Sequence, residues 1–353
     1  MHSFHKHIIT ICCLFGSLFA AKAEEIDPQK LIFSHIGDAY EWHITTLGKT
    51  HITVSLPVIV YSKDKGLNFF ISSKLHHGAY NGFYIAQEGE YTGKIVEQSS
   101  AGEEVRPLDF SLTKNATALI INSLIMISII MGMVVWYKRK PARSVSGGFV
   151  GAMEMFIMDI HNNVIKSCIG PNYKRYAPYL LTVFFFILIN NLMGLIPFFP
   201  GGASTTGNIA VTMVLALCTF FIVNLSGNKE YWKEIFWPDV PLWLKAFPLM
   251  PAIEFFGVFV KPFALMIRLF ANIMAGHTII LSLTCLIFLT VAMGPAVNAG
   301  MTVLSVLMSI FVYALELLVA YLQAYVFTIL SAIFISLAQP APHHPSKQII
   351  ETK

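Results

Sequence analysis

Two apolar tracts, about 250–292 and 297–338, carry a small set of side chains that could do chemistry: Glu254, Lys261, Arg268, Asn272 and His277 in the first, Glu316 and Gln323 in the second. An arginine there is a permanent cation, and an imidazole can take and give protons near neutral pH. Carboxylates and amides complete a set suited to holding charge or moving protons. Glu254, Lys261 and Arg268 are spaced seven and seven, nearly two helical turns each, so on a helix they share one face, and Asn272 extends that stripe at i+4. His277 is nine residues beyond Arg268, which at about 100° per residue puts it on the opposite surface. Gly294–Pro295 marks a turn between the tracts. Folded there, an antiparallel register that sets Arg268 against Gln323 also sets His277 against Glu316 to within two residues.

A charge at the centre of a membrane helix costs ~2.5–3.5 kcal/mol on insertion scales. Arg268 stands about 18 residues after the preceding polar loop and about 26 before the turn. It is too far to snorkel from an upright helix, and intramembrane charges mark ion pathways. A carboxylate at Glu316 is most economically kept by pairing with His277. Asn272 and Gln323 fit equally a role in joining helices, as amides commonly do.

The elements that must position these residues are membrane elements. The chain has 353 residues, 55% hydrophobic and 12% charged, with a mean hydropathy of +0.64. Soluble domains are nearer a quarter charged, so this is a polytopic membrane protein with a polar appendage. The net charge of +4 is not gathered into one patch, so no nucleic-acid partner is implied. Cys12, Cys13, Cys168, Cys218 and Cys285 show neither a disulfide framework nor zinc spacing. Neither a Walker-type phosphate loop nor a dinucleotide glycine pattern occurs, and no cofactor is expected.

At the start, His5, Lys6 and His7 precede the apolar run Ile8–Phe19 and "AKA" at 21–23, the pattern of a cleaved signal peptide over 1–23. A dozen apolar residues is short for a first anchor, since a span takes ~20. Residues 24–112 are then an exported, β-rich region. "THITVSLPVIVY" (50–61) alternates as one strand, with Ile52, Val54, Leu56, Val58 and Val60 on one side, and "LNFFISS" and "NGFYIAQ" look similar. Its histidines His35, His43, His51, His76 and His77 lack ligand spacing and read as surface residues.

Residues 113–353 form the membrane domain. Spans are expected at about 118–136, 179–199 and 207–225. Lys138, Arg139, Lys140 and Arg143 follow the first span and belong on the cytoplasmic side, in agreement with an exported N-terminus. Residues 144–178 suit an amphipathic segment on that face. "PGGAST" after the second span is uncharged, as an outside turn would be, and the Trp-rich stretch 228–245 is a cytoplasmic connection. At ~1.5 Å per residue the two long tracts would each run some 60 Å, about twice the ~30 Å hydrocarbon core. The expected fold is therefore an all-α polytopic membrane protein with a long tilted or membrane-parallel helical hairpin, after a small β-rich exported N-terminal region.

"RLFANIMAGH" (268–277) and "LELLVAYLQAYVFTILSAIF" resemble the two signature stretches of subunit a of the rotary, proton-translocating ATP synthases, and "NNLMGLIP" (190–197) and "TTGNIAVT" (205–212) resemble that family's earlier spans. The resemblance covers about 118–338. It implies a non-catalytic stator subunit that provides two offset half-channels to a rotating ring of c subunits, with peripheral-stalk b subunits and the remaining synthase subunits as partners, in a bacterial inner membrane, the mature N-terminus periplasmic and the C-terminus cytoplasmic. By this likeness Arg268 matches the essential arginine, Asn272 its neighbouring asparagine and Gln323 the glutamine beside the arginine. Glu254 and Lys261 match inner half-channel positions. His277 and Glu316 fall where the family keeps an interacting acid–histidine pair, here exchanged between the helices relative to many bacterial members. The alternative is a self-contained secondary transporter with a buried Arg/His/Glu substrate site. Such proteins show repeated halves and broken helices, and neither is evident here. A third reading is a membrane scaffold in which the polar residues only join helices.

Overall fold

The computed structural model describes residues 37–47, 50–75, 78–87, 89–98, 104–141, 146–196, 199–237 and 249–339. The expected signal peptide, Arg143, and His35, His76 and His77 lie outside these residues, as do the side chains of His43 and His51. Among the described residues, Ala275–Glu316 forms one compact unit, and Asp38–Met274 with the stretch from Leu317 forms another.

The N-terminal part of the larger unit is built of short antiparallel strands. β1 (Glu41–Leu47) pairs with β2 (Thr50–Ser55). β3 (Pro57–Ser62) lies between β4 (Gly66–Ile71) and, later in the chain, β8 (Leu108–Asp109). β5 (Phe83–Ile85), β6 (Ile95–Gln98) and β7 (Glu104–Val105) make a third small sheet. The single strand expected over 50–61 is two strands in two sheets. The break is at Leu56–Pro57: Leu56 exchanges its N–H with the Ser72 hydroxyl and its carbonyl with the Ser72 N–H, both at 3.0 Å, and proline offers no N–H to continue a ladder. The inward side of the alternation holds, with Leu56, Val58 and Val60 buried.

Val58, Val60, Phe70, Phe83 and Ile95 form the core of this module around Tyr40. The Tyr40 hydroxyl donates to the Asp109 carboxylate and accepts the Ile95 N–H at 3.4 Å. Burial first, and the neighbouring carboxylate second, hold the Tyr40 phenol well above its ordinary range.

Helix α1 (Lys114–Arg139) follows four residues after Phe110, and its first turn is closed from outside the helix. Lys114 N–H donates to the Ala39 carbonyl at 2.8 Å, Asn115 N–H to Asp38 Oδ1 at 3.0 Å and Ala116 N–H to the capping Thr113 hydroxyl at 3.4 Å. These are the amides that a helix cannot satisfy by itself. Trp42 packs on Ala118 and Ala203, with Val54 and Ile121 against them, and its ring meets Phe199 edge-on at 5.1 Å. The module is thus fixed to the upper turns of α1.

The segment expected to lie along the membrane surface is helical and runs on into the second span. α2 (Gly148–Asp159), a π-helical turn (Ile160–Lys166) and α3 (Tyr173–Leu195) belong to one helical run of 48 residues. The wider π turn brings Ile160, Val164 and Ile165 all inward, each fully buried. They pack with Leu180, Phe184 and Ile187 of α3 and with Leu265, Leu269, Phe327 and Ile335. α4 (Ile209–Leu225) and α5 (Lys229–Phe236) meet at 103°. Two long helices close the chain, α6 (Leu249–Leu289) and α7 (Pro295–Leu337). Gly294 between them adopts φ +103°, which a side chain would resist, and the Thr290 hydroxyl donates to Asn298 Oδ1 at 3.0 Å across the turn. Among the described residues, four helices are long and apolar enough to cross a membrane, or up to five spans with the bent α4–α5 pair.

Candidate functional site

In the larger unit α6 and α7 bring two of the singled-out amides together. Asn272 Nδ2 donates to Gln323 Oε1 at 3.3 Å. Gln323 is buried at 4% exposure and its Nε2 has no acceptor among the described residues. The expected neighbour of Gln323 was Arg268; its hydrogen-bonded partner is instead Asn272, one turn further on the same face. Arg268 is exposed, and among the described residues its guanidinium makes no hydrogen bond or ion pair. The helix surface around it is apolar, with Phe263 and Ile267 exposed beside it and Leu265 and Leu269 buried beneath.

Glu254 and Lys261 lie earlier on the same helix and are half-buried. The Lys261 ammonium sits 5.8 Å from the Phe334 ring centre, a cation–π arrangement. It borders a cavity of about 20 Å³ shared with Asn224 and Tyr231, room for a single water. Asn224 Oδ1 is buried without a partner.

In the smaller unit the Glu316 carboxylate lies directly over Gly276, the residue preceding His277. A Cβ built at Gly276 would collide with Glu316 Oε1 and sit 2.7 Å from its Cδ. Glu316 Oε2 is buried without a hydrogen bond. Gly276 escaped the sequence reading, although a glycine inside a strongly helical, apolar pattern is itself a signal of close approach.

The sequence also gave no warning of a second polar assembly. The uncharged stretch expected as an outside turn is folded in: Ala203, Ser204, Thr205 and Thr206 are buried. Thr205 donates its hydroxyl to Asn190 Oδ1 at 2.8 Å, which also accepts from Asn122 Nδ2 at 3.0 Å. Thr206 donates to Asn191 Oδ1 at 2.8 Å, and Asn191 Nδ2 reaches the Ala320 carbonyl on α7 at 3.3 Å. Two adjacent asparagines therefore tie α1, α3, α7 and the loop into one block. Replacing Asn190 by leucine strands both the Asn122 amide and the Thr205 hydroxyl. Each buried group left open costs about 1–3 kcal/mol, and the expected result is a lower melting temperature of the detergent-solubilised protein. An unchanged melting temperature would remove the network from the account of stability.

Fold and site define a multi-pass helical membrane protein that carries charged and amide side chains at mid-helix. The family described as ATP synthase A chain matches residues 120–336, and a domain of unknown function matches 31–110. The ATP synthase subunit a of Pelodictyon phaeoclathratiforme is 44% identical over 243 residues, covering 67% of this chain and 68% of the relative. That of Chloroherpeton thalassium is 39% identical over 249 residues, covering 68% and 70%. That of Myxococcus xanthus is 40% identical over 245 residues, covering 67% and 76%. The chain belongs to the ATP synthase A chain family, subunit a of the proton-translocating ATP synthases.

Proposed function

We propose that this chain is the proton-conducting stator of its ATP synthase, without a nucleotide site of its own, and that Arg268 faces a ring of c subunits. The observation that carries the reading is the exposed arginine, without a hydrogen bond or ion pair among the described residues, in the middle of a 41-residue apolar helix. Left against lipid it would cost several kcal/mol; a ring carboxylate arriving opposite it supplies the missing counter-charge. The guanidinium then favours the ionised carboxylate. The proton leaves on one side and cannot pass directly to the other half-channel. Rotation is the route that remains.

In this reading His277 relays protons in the outer half-channel, with Glu316 tuning it. Glu254 and Lys261 belong to the inner half-channel. Asn272 and Gln323 keep the two helices in register beside the arginine. The N-terminal module is periplasmic and the C-terminus cytoplasmic, with α6 and α7 strongly tilted so that they wrap the ring. Peripheral-stalk b subunits hold the chain against the torque. A membrane potential supplies ~2.3 kcal/mol per charge per 100 mV.

A cross-link tests the contact. Ala271 is exposed one turn from Arg268. A cysteine at Ala271, paired with one placed a turn from the ring carboxylate, is expected to form an oxidised product joining the two subunits and to stop ATP-driven pumping until reduced. No such product in an assembled complex would remove this face from the ring interface. Transport by the purified chain alone would favour the transporter.

A further inference from the structure

The sheet of β4, β3 and β8 has one face on the module's core and one face open. On the open face Tyr61, Leu67, Phe69, Ile71, Leu108 and Phe110 are 44–69% exposed. The register makes them contiguous: Tyr61 is paired with both Leu67 and Leu108, and Ile59 stands between Phe69 and Phe110. A soluble surface does not leave so continuous an apolar patch open. Alternation along β3 and β4 would ordinarily place polar residues here, and the chain places phenylalanine, tyrosine and leucine instead.

The module's attachment indicates what covers this face. The strand residues lead straight into α1: Phe110 N–H donates to Ile59 O at 2.9 Å, Leu112 N–H to Pro57 O at 3.2 Å, and the helix begins at Lys114. Trp42 and Val54 already pack against Ala118 and Ile121, inside the apolar part of that helix, where an indole suits a membrane interface. Further along, α1 itself exposes Ile120, Leu124 and Ile127. Exposed charged residues of both signs, Lys74, Glu104 and Arg106, stand beside its strands in the chain, a polar rim of the kind that suits a headgroup layer.

We infer that the open face of the β4–β3–β8 sheet is a membrane-binding surface, seated in the headgroup–acyl boundary of the leaflet from which α1 enters. The module is then a monotopic anchor, aromatic and aliphatic on its buried side and polar at its rim. The inference needs α1 to cross the bilayer. It does not depend on which side the module occupies or on what Arg268 does.

The test is spin-label accessibility in the whole synthase, reconstituted in vesicles of phosphatidylethanolamine and phosphatidylglycerol, with the native cysteines replaced by serine. Labels go on Phe69→Cys and, independently, on Leu108→Cys. Lys63→Cys serves as the water reference and Leu124→Cys as the lipid reference. The expected result is relaxation of the Phe69 and Leu108 labels by oxygen several-fold more than by a water-soluble nickel chelate, as at Leu124. Ready relaxation by nickel, as at Lys63, would show an open face and overturn the inference. Protection from both reagents would show that protein covers the face and would overturn it equally.

Discussion

ATP-driven proton uptake by membrane vesicles is expected to fall to the background leak when Arg268 is replaced by alanine, in a complex that still assembles. Assembly survives because the side chain is exposed and makes no hydrogen bond or ion pair among the described residues. Its removal leaves no buried partner open, and the neighbours that pack the helix, Leu265 and Leu269, are untouched. What is lost is a cation that stays protonated under all working conditions. Arg268→Lys separates charge from the guanidinium. A lysine ammonium loses its proton when desolvated, whereas a guanidinium does not, so the lysine variant recovers only a small part of the pumping. Normal coupled pumping in Arg268→Ala would return the arginine to a structural role, and loss of assembly in Arg268→Ala would show that the residue holds the complex together.

Gly276→Ala is expected to slow pumping by roughly ten- to a hundredfold, the scale that misplacing a reacting group by about 1 Å can reach. The added methyl takes the space that the Glu316 carboxylate now fills. Alanine is the better helix former by ~1 kcal/mol, and the collision is with the far end of a flexible side chain, so the helix is retained while the carboxylate moves. Glu316→Asp shortens the side chain by one methylene and relieves part of the collision: the closest contacts, with Oε1 and Cδ, go, while the 2.9 Å contact at the Cγ position stays. The double variant is therefore expected to pump better than Gly276→Ala alone, a compensation that a general loss of folding would not produce. Equal rates for Gly276→Ala and the unaltered protein would show that the placement of this carboxylate does not limit proton transfer.

The long helices were legible because their polar residues are few and come singly, leaving the apolar runs intact. Tracts read as 250–292 and 297–338 are Leu249–Leu289 and Pro295–Leu337, with Gly294 at the turn. Their register was close, since the polar residues are few and must face one another; the Asn272–Gln323 bond sets it one turn from the pairing with Arg268. The break at Pro57 was hidden by an alternation that continues across it, and only the Ser72 contact, 16 residues from Leu56, reveals the change of sheet. Thr205 reads as a turn residue because hydroxyls and glycines are what turns use, and Thr206 beside it carries no signal of its own. Their burial depends on Asn190 and Asn191, 15 residues earlier, a pairing that no local pattern encodes.

The first turn of α1 is finished by residues 75 and more positions earlier in the chain, with Asp38 and Ala39 receiving the amides of Asn115 and Lys114. Until the N-terminal module has folded, those donors face the membrane boundary without acceptors, at about 1–3 kcal/mol each. The folding of the module therefore fixes where that helix begins.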